Sequence, residues 1–202
     1  DQFPSVDRIS SDFELMLQCG INTVRTYTVP RREVLDVAAK LGLRLLVGIP
    51  WTQHVSFLDD RSLTRSIRRF IVDEVRSLAK HPAVLLVAVG NEIPPGVVRW
   101  HGADRVGRFL REVYDNVKDT TPEMLLTYVN YPPTEYLDLS CFDVCAFNVY
   151  LHREQDLRSY LAHLHVIAGN RPLLLTEIGA DSISEGEEGQ GELVGMQLRA
   201  AF

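Results

Sequence analysis

The feature that most constrains this chain is one unit that recurs along it, a strand-length apolar run followed by a segment with helical periodicity. Apolar runs stand at "INTVRTYTV" (21–29), "LRLLVGIPW" (43–51), "AVLLVAVGNE" (83–92), "EMLLTYVNY" (123–131), "FDVCAFNVY" (142–150) and "RPLLLTEIG" (171–179). They are apolar at consecutive rather than alternate positions, as strands buried on both faces are. Between them, apolar residues return at helical spacing: Leu63, Ile67, Phe70, Ile71, Val75 and Leu78; Val106, Phe109, Leu110, Val113 and Val117; Leu157, Leu161, Leu164 and Ala168. Shorter helices are expected at about 10–19 and 31–41, ending on Gly20 and Gly42, which suit the left-handed residue after a helix C-terminus. Strand and helix should alternate throughout. That pattern predicts a parallel sheet covered by helices, either an open doubly wound sheet or a closed (β/α)8 barrel.

The strand ends favour the barrel. Neither G-x-G-x-x-G nor G-x-x-x-x-G-K-[ST], the phosphate turns of open nucleotide-binding sheets, occurs in the sequence. Instead the strands end in polar or aromatic groups: Arg25 and Tyr27, Trp51, Asn91 and Glu92, Asn130 and Tyr131, Asn148 and Tyr150, Glu177. In a (β/α)8 barrel such ends share one mouth, where active sites are built. With 202 residues, 46% of them hydrophobic and no repeat or low-complexity segment, residues 1–202 are expected to form a single domain. The net charge of −6 and the scattered basic residues make nucleic acid and anionic membrane poor partners. No apolar run approaches the roughly 18–20 residues of a membrane-crossing helix, so the chain is expected to be soluble. Cys19, Cys141 and Cys145 cannot all pair, and with Cys141 and Cys145 in or beside an apolar run, buried free thiols are the expected state.

Two of the rim groups, Glu92 and Glu177, are carboxylates at matching strand ends. Such a pair across a cleft suits glycoside cleavage, one group protonating the departing oxygen while the other attacks carbon or activates water. A lone glutamate at a strand end is more often a loop residue or an arginine's partner; two at matching ends carry the functional reading.

The segments "NTVRTY", "VGNEIP", "FDVCAFNVY" and "LLLTEIGADS" resemble the catalytic segments of clan A glycoside hydrolases, retaining glycosidases with a (β/α)8 barrel. The resemblance spans roughly residues 20 to 180 and is closest to family 2, with echoes of the family 17 and family 72 β-glucan enzymes. It implies Glu92 as general acid/base and Glu177 as nucleophile. It further implies that Asn91 bonds the sugar 2-hydroxyl, that Tyr150 lies near the nucleophile, and that Arg25 holds the nucleophile ionised. The implied separation of the carboxyl groups is about 5 to 5.5 Å, which calls for a covalent glycosyl intermediate and retained configuration. The implied partner is an oligo- or polysaccharide with β-linkages, hydrolysed or transferred, with no cofactor. A catalytically silent carbohydrate-binding or scaffolding barrel is the alternative.

The remaining rim groups have two readings each. Trp51 either stacks on a sugar or plugs the barrel rim, and Trp100, beside His101, is a platform or a packing residue. Asn130 and Tyr131 either line the cleft or pack and cap, and Asn148 is expected to bind substrate. His54, His101 and His152 lack metal-ligand spacing, and no metal is expected. Arg65, Arg68, Arg69 and Arg76 should form the solvated face of an outer helix, and the acidic "ISEGEEGQGE" (183–192) should be a flexible connector or a lid over the mouth. If Glu177 ends the seventh barrel strand, "INTVRTY" is the second, and the first and eighth should lie outside residues 1–202. The expectation is therefore a partial barrel, strands two to seven, from a longer polypeptide. Its two apolar edges would be open to pairing, including self-association with a second copy.

Overall fold

A computed structural model of the chain describes residues 3–202. The elements run α1 (Val6–Gln18), β1 (Thr23–Thr26), α2 (Arg32–Leu41), β2 (Arg44–Gly48), α3 (Arg61–Leu78), β3 (Val84–Asn91), α4 (Pro95–His101), α5 (Ala103–Thr120), β4 (Leu126–Asn130), β5 (Cys145–Asn148), α6 (Glu154–Ala168), β6 (Leu173–Glu177) and α7 (Ser182–Ala201). All six strands lie inside the six apolar runs. They pair in parallel and in chain order, β1-β2-β3-β4-β5-β6, as expected for six consecutive strands of a (β/α)8 barrel.

The strands are apolar on both faces because each face meets a different core. Leu45, Val47, Val87, Val89, Leu126 and Tyr128 join the helices in one large cluster, while Cys145 and Phe147 meet α6 and α7 in a second. Their alternating neighbours Leu46, Leu86, Ala88, Val129 and Ala146 form a third cluster with Val144 and Leu174, on the inner face of the partial barrel.

The helices follow their sequence signals. Asp60 caps α3 by accepting from Ser62 N–H (2.7 Å) and Leu63 N–H (3.2 Å), and Ile67, Ile71, Val75 and Leu78 form its buried stripe. Phe70, counted in that period, stays 39% exposed. On the outer face Arg68 pairs with Glu112, and Arg69 and Arg76 with Asp73. Gly20 and Gly42 both have φ of 80°, and Ile21 N–H to Met16 C=O (3.0 Å) and Leu43 N–H to Ala38 C=O (2.9 Å) close the turns behind them.

Two expectations are corrected. Alternation fails between β4 and β5, where a 3-10 turn (Pro132–Thr134) stands in for a helix in a segment without an apolar stripe of helical period. The stretch 183–192 is not a loop but lies in α7, kinked at Gly186 (φ 74°). Asp181 caps its start through Ile183 N–H (2.9 Å) and Ser184 N–H (3.2 Å). Gln190 donates to Ala180 C=O (2.8 Å), and the buried Gln197 to Leu151 C=O (3.0 Å) and Gly179 C=O (3.2 Å). Docking and capping thus outweigh the low helix propensity of its glycines.

Candidate active site

The C-terminal ends of β1, β3, β5 and β6 bring Arg25, Asn91, Glu92, Asn148 and Glu177 into one hydrogen-bonded network. Arg25, only 13% exposed in its side chain, donates through Nη1 to Glu177 Oε1 (2.8 Å) and the Thr176 carbonyl (3.0 Å), and through Nη2 to Asn91 Oδ1 (2.8 Å). The planar guanidinium suits this work, since its fork reaches two acceptors at fixed angles. The other oxygen of Glu177 accepts from Tyr150 OH (2.7 Å). Burial, then the hydrogen bond to Glu177 and its charge, push the Tyr150 phenol up, which keeps it a donor.

Glu92 sits in different company. Its Oε1 accepts from Asn148 Nδ2 (2.7 Å), a neutral donor. Asn148 is 1% exposed and uses both ends of its amide inside the protein, since Oδ1 accepts from Thr176 Oγ1 (2.7 Å) and Nδ2 also approaches Asn91 Oδ1 (3.4 Å). Asn91 Oδ1 therefore takes donors from both sides. Its Nδ2 has no protein acceptor among the described residues. Replacing Asn148 by alanine would strand the Thr176 hydroxyl and free Glu92; the expected cost is about 1–3 kcal/mol, read as a lowered urea midpoint at unchanged m-value.

Strand alternation alone would not aim two of these residues inward. Val87 and Val89 face the helices, so strict period two would send Asn91 there as well, and Leu173 and Leu175 imply the same for Glu177. Register shifts accompany the change of aim, between Ala88 and Asn91 on β3 and, opposite Phe147 and Asn148, between Leu175 and Glu177 on β6.

The backbone around Glu92 is held as tightly as its side chain. Among the described residues Glu92 is the one non-glycine with positive φ, at 51°, a conformation that costs on the order of 1–3 kcal/mol. Asn91 N–H donates to Gln53 Oε1 (3.0 Å), and Gln53 Nε2 donates back to the Asn91 carbonyl. Glu92 N–H reaches the Val129 carbonyl (3.0 Å), and Ile93 N–H reaches the buried Tyr128 OH (2.7 Å). Burial raises the Tyr128 phenol, so it remains protonated.

The other rim residues divide. Trp51 packs edge-on against Phe57 and Phe109, with centroids 5.0 and 5.8 Å apart, and its indole N–H donates to the Val89 carbonyl (2.8 Å). It thereby fills the rim, with one side lining a cavity of about 180 Å³ next to Arg25, Tyr27 and Asn91. Tyr131 is half-buried, and its phenol is raised first by burial and then by the charge of Glu92. Asn130 is turned away, locked to Thr134 by bonds of 3.0 and 2.6 Å. Trp100 is 72% exposed and donates to Asp59 (2.6 Å). His101 is buried against Phe57 and burial lowers its pKa, while His54 is exposed and His152 lies 3.9 Å from Glu185. No three His, Cys, Asp or Glu side chains gather as a metal site among the described residues. Cys19 is exposed, Cys141 half-buried and Cys145 buried, all free thiols; burial lifts Cys141 to about 11.

Two residues absent from the sequence-level candidates, and Tyr27 from among the strand ends, belong here. Gln53 comes from the loop after β2, Thr176 precedes Glu177, and Tyr27 lies under the Arg25 guanidinium, 4.4 Å from its ring centroid. Tyr27 follows Arg25 near the end of the first apolar run, whereas Gln53 and Thr176 carry no local signal.

The sequence matches the family profile of glycosyl hydrolases family 2, TIM barrel domain, over residues 2–193. The chain belongs to that family. Solved structures with the same fold include Bacteroides uniformis β-glucuronidase 2 covalently bound to cyclophellitol-6-carboxylate aziridine (19% identity, TM-score 0.82, 98% of this chain and 26% of that one). They also include a β-glucuronidase from Ruminococcus gnavus in complex with D-glucuronic acid (16%, 0.81, 98% and 37%) and an uncultured Clostridium sp. β-glucuronidase (18%, 0.80, 98% and 38%). This family 2 chain thus spans between a quarter and two fifths of their length. No individual curated protein sequence matches it significantly. The β-glucan substrates suggested by likeness to families 17 and 72 find no support among these structures. No helix among the described residues is long and apolar enough to cross a membrane.

Proposed function

We propose that this family 2 barrel carries the catalytic pair of a retaining β-glycosidase, with Glu177 as nucleophile and Glu92 as general acid/base. The observation that carries the reading is the unequal surroundings of two glutamates joined by one network. Glu177 has a cation on one oxygen and a phenol on the other, donors that hold both oxygens of the carboxylate in place for attack. Glu92 has a neutral amide on Oε1 and no protein partner on Oε2 among the described residues, so Oε2 is the oxygen open to the departing group. Different surroundings give like groups different roles.

In the reaction Glu177 attacks the anomeric carbon as Glu92 protonates the leaving oxygen. Glu92 then takes a proton from water, or from a sugar hydroxyl in transfer, as the ester at Glu177 is released. Arg25 and Tyr150 hold the nucleophile's two oxygens in place. Asn91 Nδ2 meets the hydroxyl beside the reacting carbon, a contact that strengthens as positive charge grows on the ring. Asn148 orients Glu92, and Tyr131 borders the cleft on the acid/base side. The likeness to β-glucuronidases makes aryl β-D-glucuronides the first substrates to assay, with the glucosides and galactosides beside them.

The test is a mechanism-based label. Incubation of the full-length protein with 2-fluoro aryl β-glycosides should add one sugar mass to the peptide containing Glu177 and stop turnover in step. A label on any other carboxylate of an active preparation would overturn the assignment.

A further inference from the structure

We propose that Gln53 is a positioning residue for Glu92: its side-chain amide stands in for a missing strand neighbour on both backbone groups of Asn91, and so fixes the peptide on which Glu92 is mounted. The inference rests on the acid/base reading of Glu92 given above.

β2 ends at Gly48, and Ile49 N–H makes a last backbone bond to the Ala88 carbonyl (2.9 Å) before Pro50. β3 runs on to Asn91. Along that overhang the β2 side has no backbone left to offer, and buried polar groups there need other partners. Two side chains of the following loop supply them in order. Trp51 Nε1–H serves the Val89 carbonyl (2.8 Å), and the Gln53 amide serves the N–H and the carbonyl of Asn91. A primary amide is the side chain that both donates and accepts, as a peptide does. Gln53 is itself 8% exposed, so water is a poor substitute for it.

The consequence falls on the next residue. Glu92 adopts left-handed backbone angles that a glutamate does not choose unaided, and such a conformation persists only where its surroundings over-determine it. Val129 and Tyr128 hold the peptide from the β4 side, and Gln53 holds it from the β2 side. Without Gln53 the Asn91–Glu92 peptide is free to relax, and the carboxyl moves off the line to the leaving oxygen.

The experiment compares Gln53→Met and Gln53→Leu, a flexible and a branched apolar replacement, with the unaltered full-length protein. Amide hydrogen exchange at Asn91 and Glu92 should accelerate by about tenfold or more, with the amides of β5 and β6, which do not adjoin β3, unchanged. kcat/KM should fall by about ten- to a hundredfold for alkyl or methylumbelliferyl β-glycosides, whose leaving groups need a proton. It should change by less than about threefold for dinitrophenyl β-glycosides, whose leaving group departs unaided. A uniform loss across leaving groups, or unchanged exchange at Asn91 and Glu92, would sink the proposal. Glu92→Gln tested alongside separates the two claims: if it lacks the leaving-group pattern, Glu92 is not the acid and that reading fails. The exchange measurement needs no turnover and still decides whether Gln53 holds the peptide.

Discussion

Glu177→Ala should lower kcat for aryl β-glycosides by about four orders of magnitude, equivalent to about 5 kcal/mol in the barrier. In the proposed mechanism the carboxylate forms the bond that divides the reaction into two steps, and a methyl group offers nothing in its place. Removing it also opens a small space between Arg25 and Tyr150, both of which now point donors at a vacated site. Azide fits such a space and carries the charge those donors are arranged to hold. Added azide should therefore restore turnover on activated substrates and yield a glycosyl azide with inverted configuration, detectable by NMR. Rescue with retained configuration, or undiminished activity without azide, would remove Glu177 from the role. Stability should fall, since an alanine there leaves the shielded Arg25 guanidinium without its carboxylate.

Arg25→Met should be costly in both fold and function. The side chain links three elements, joining β1 to the Glu177 carboxylate and Thr176 carbonyl on β6 and to Asn91 on β3. Both ion-pair partners are largely shielded, at 13% and 16% side-chain exposure, so truncating one leaves a charge without its counterion. The expected destabilisation is about 3 kcal/mol, at the low end for such pairs because Tyr150 still donates to Glu177. kcat/KM should fall by about a hundredfold or more, as the nucleophile loses its alignment and Asn91 its anchor. Arg25→Lys should recover only part of either loss, since one ammonium cannot span Glu177 and Asn91 together. A double-mutant cycle with Glu177→Gln, read by chemical denaturation, should show a coupling above about 1 kcal/mol. Additive effects would mean that the pair is not the source of the cost.

The sequence by itself determined the strands, most of the helices, and which chemical groups stand at the strand ends. Those signals are local: an apolar run of strand length, an apolar stripe of helical period, a glycine after a helix and a proline that stops a strand act through neighbours a few residues away. Glu92 and Glu177 were legible as a pair for the same reason, each ending a run that is otherwise apolar. Only the tertiary structure decided how the groups are aimed and held. Register shifts set Asn91 and Glu177 on the inner face against the period-two expectation, and Asn148 turned out to be buried between Thr176 and Glu92. Trp51 filled the rim, and the acidic, glycine-rich stretch became part of a docked helix. Gln53 acquired a partner on another strand that no local pattern announces. In each case the deciding bond joins residues far apart in the chain, and a hydrogen bond between distant residues forms only where packing has already brought its donor and acceptor within about 3 Å.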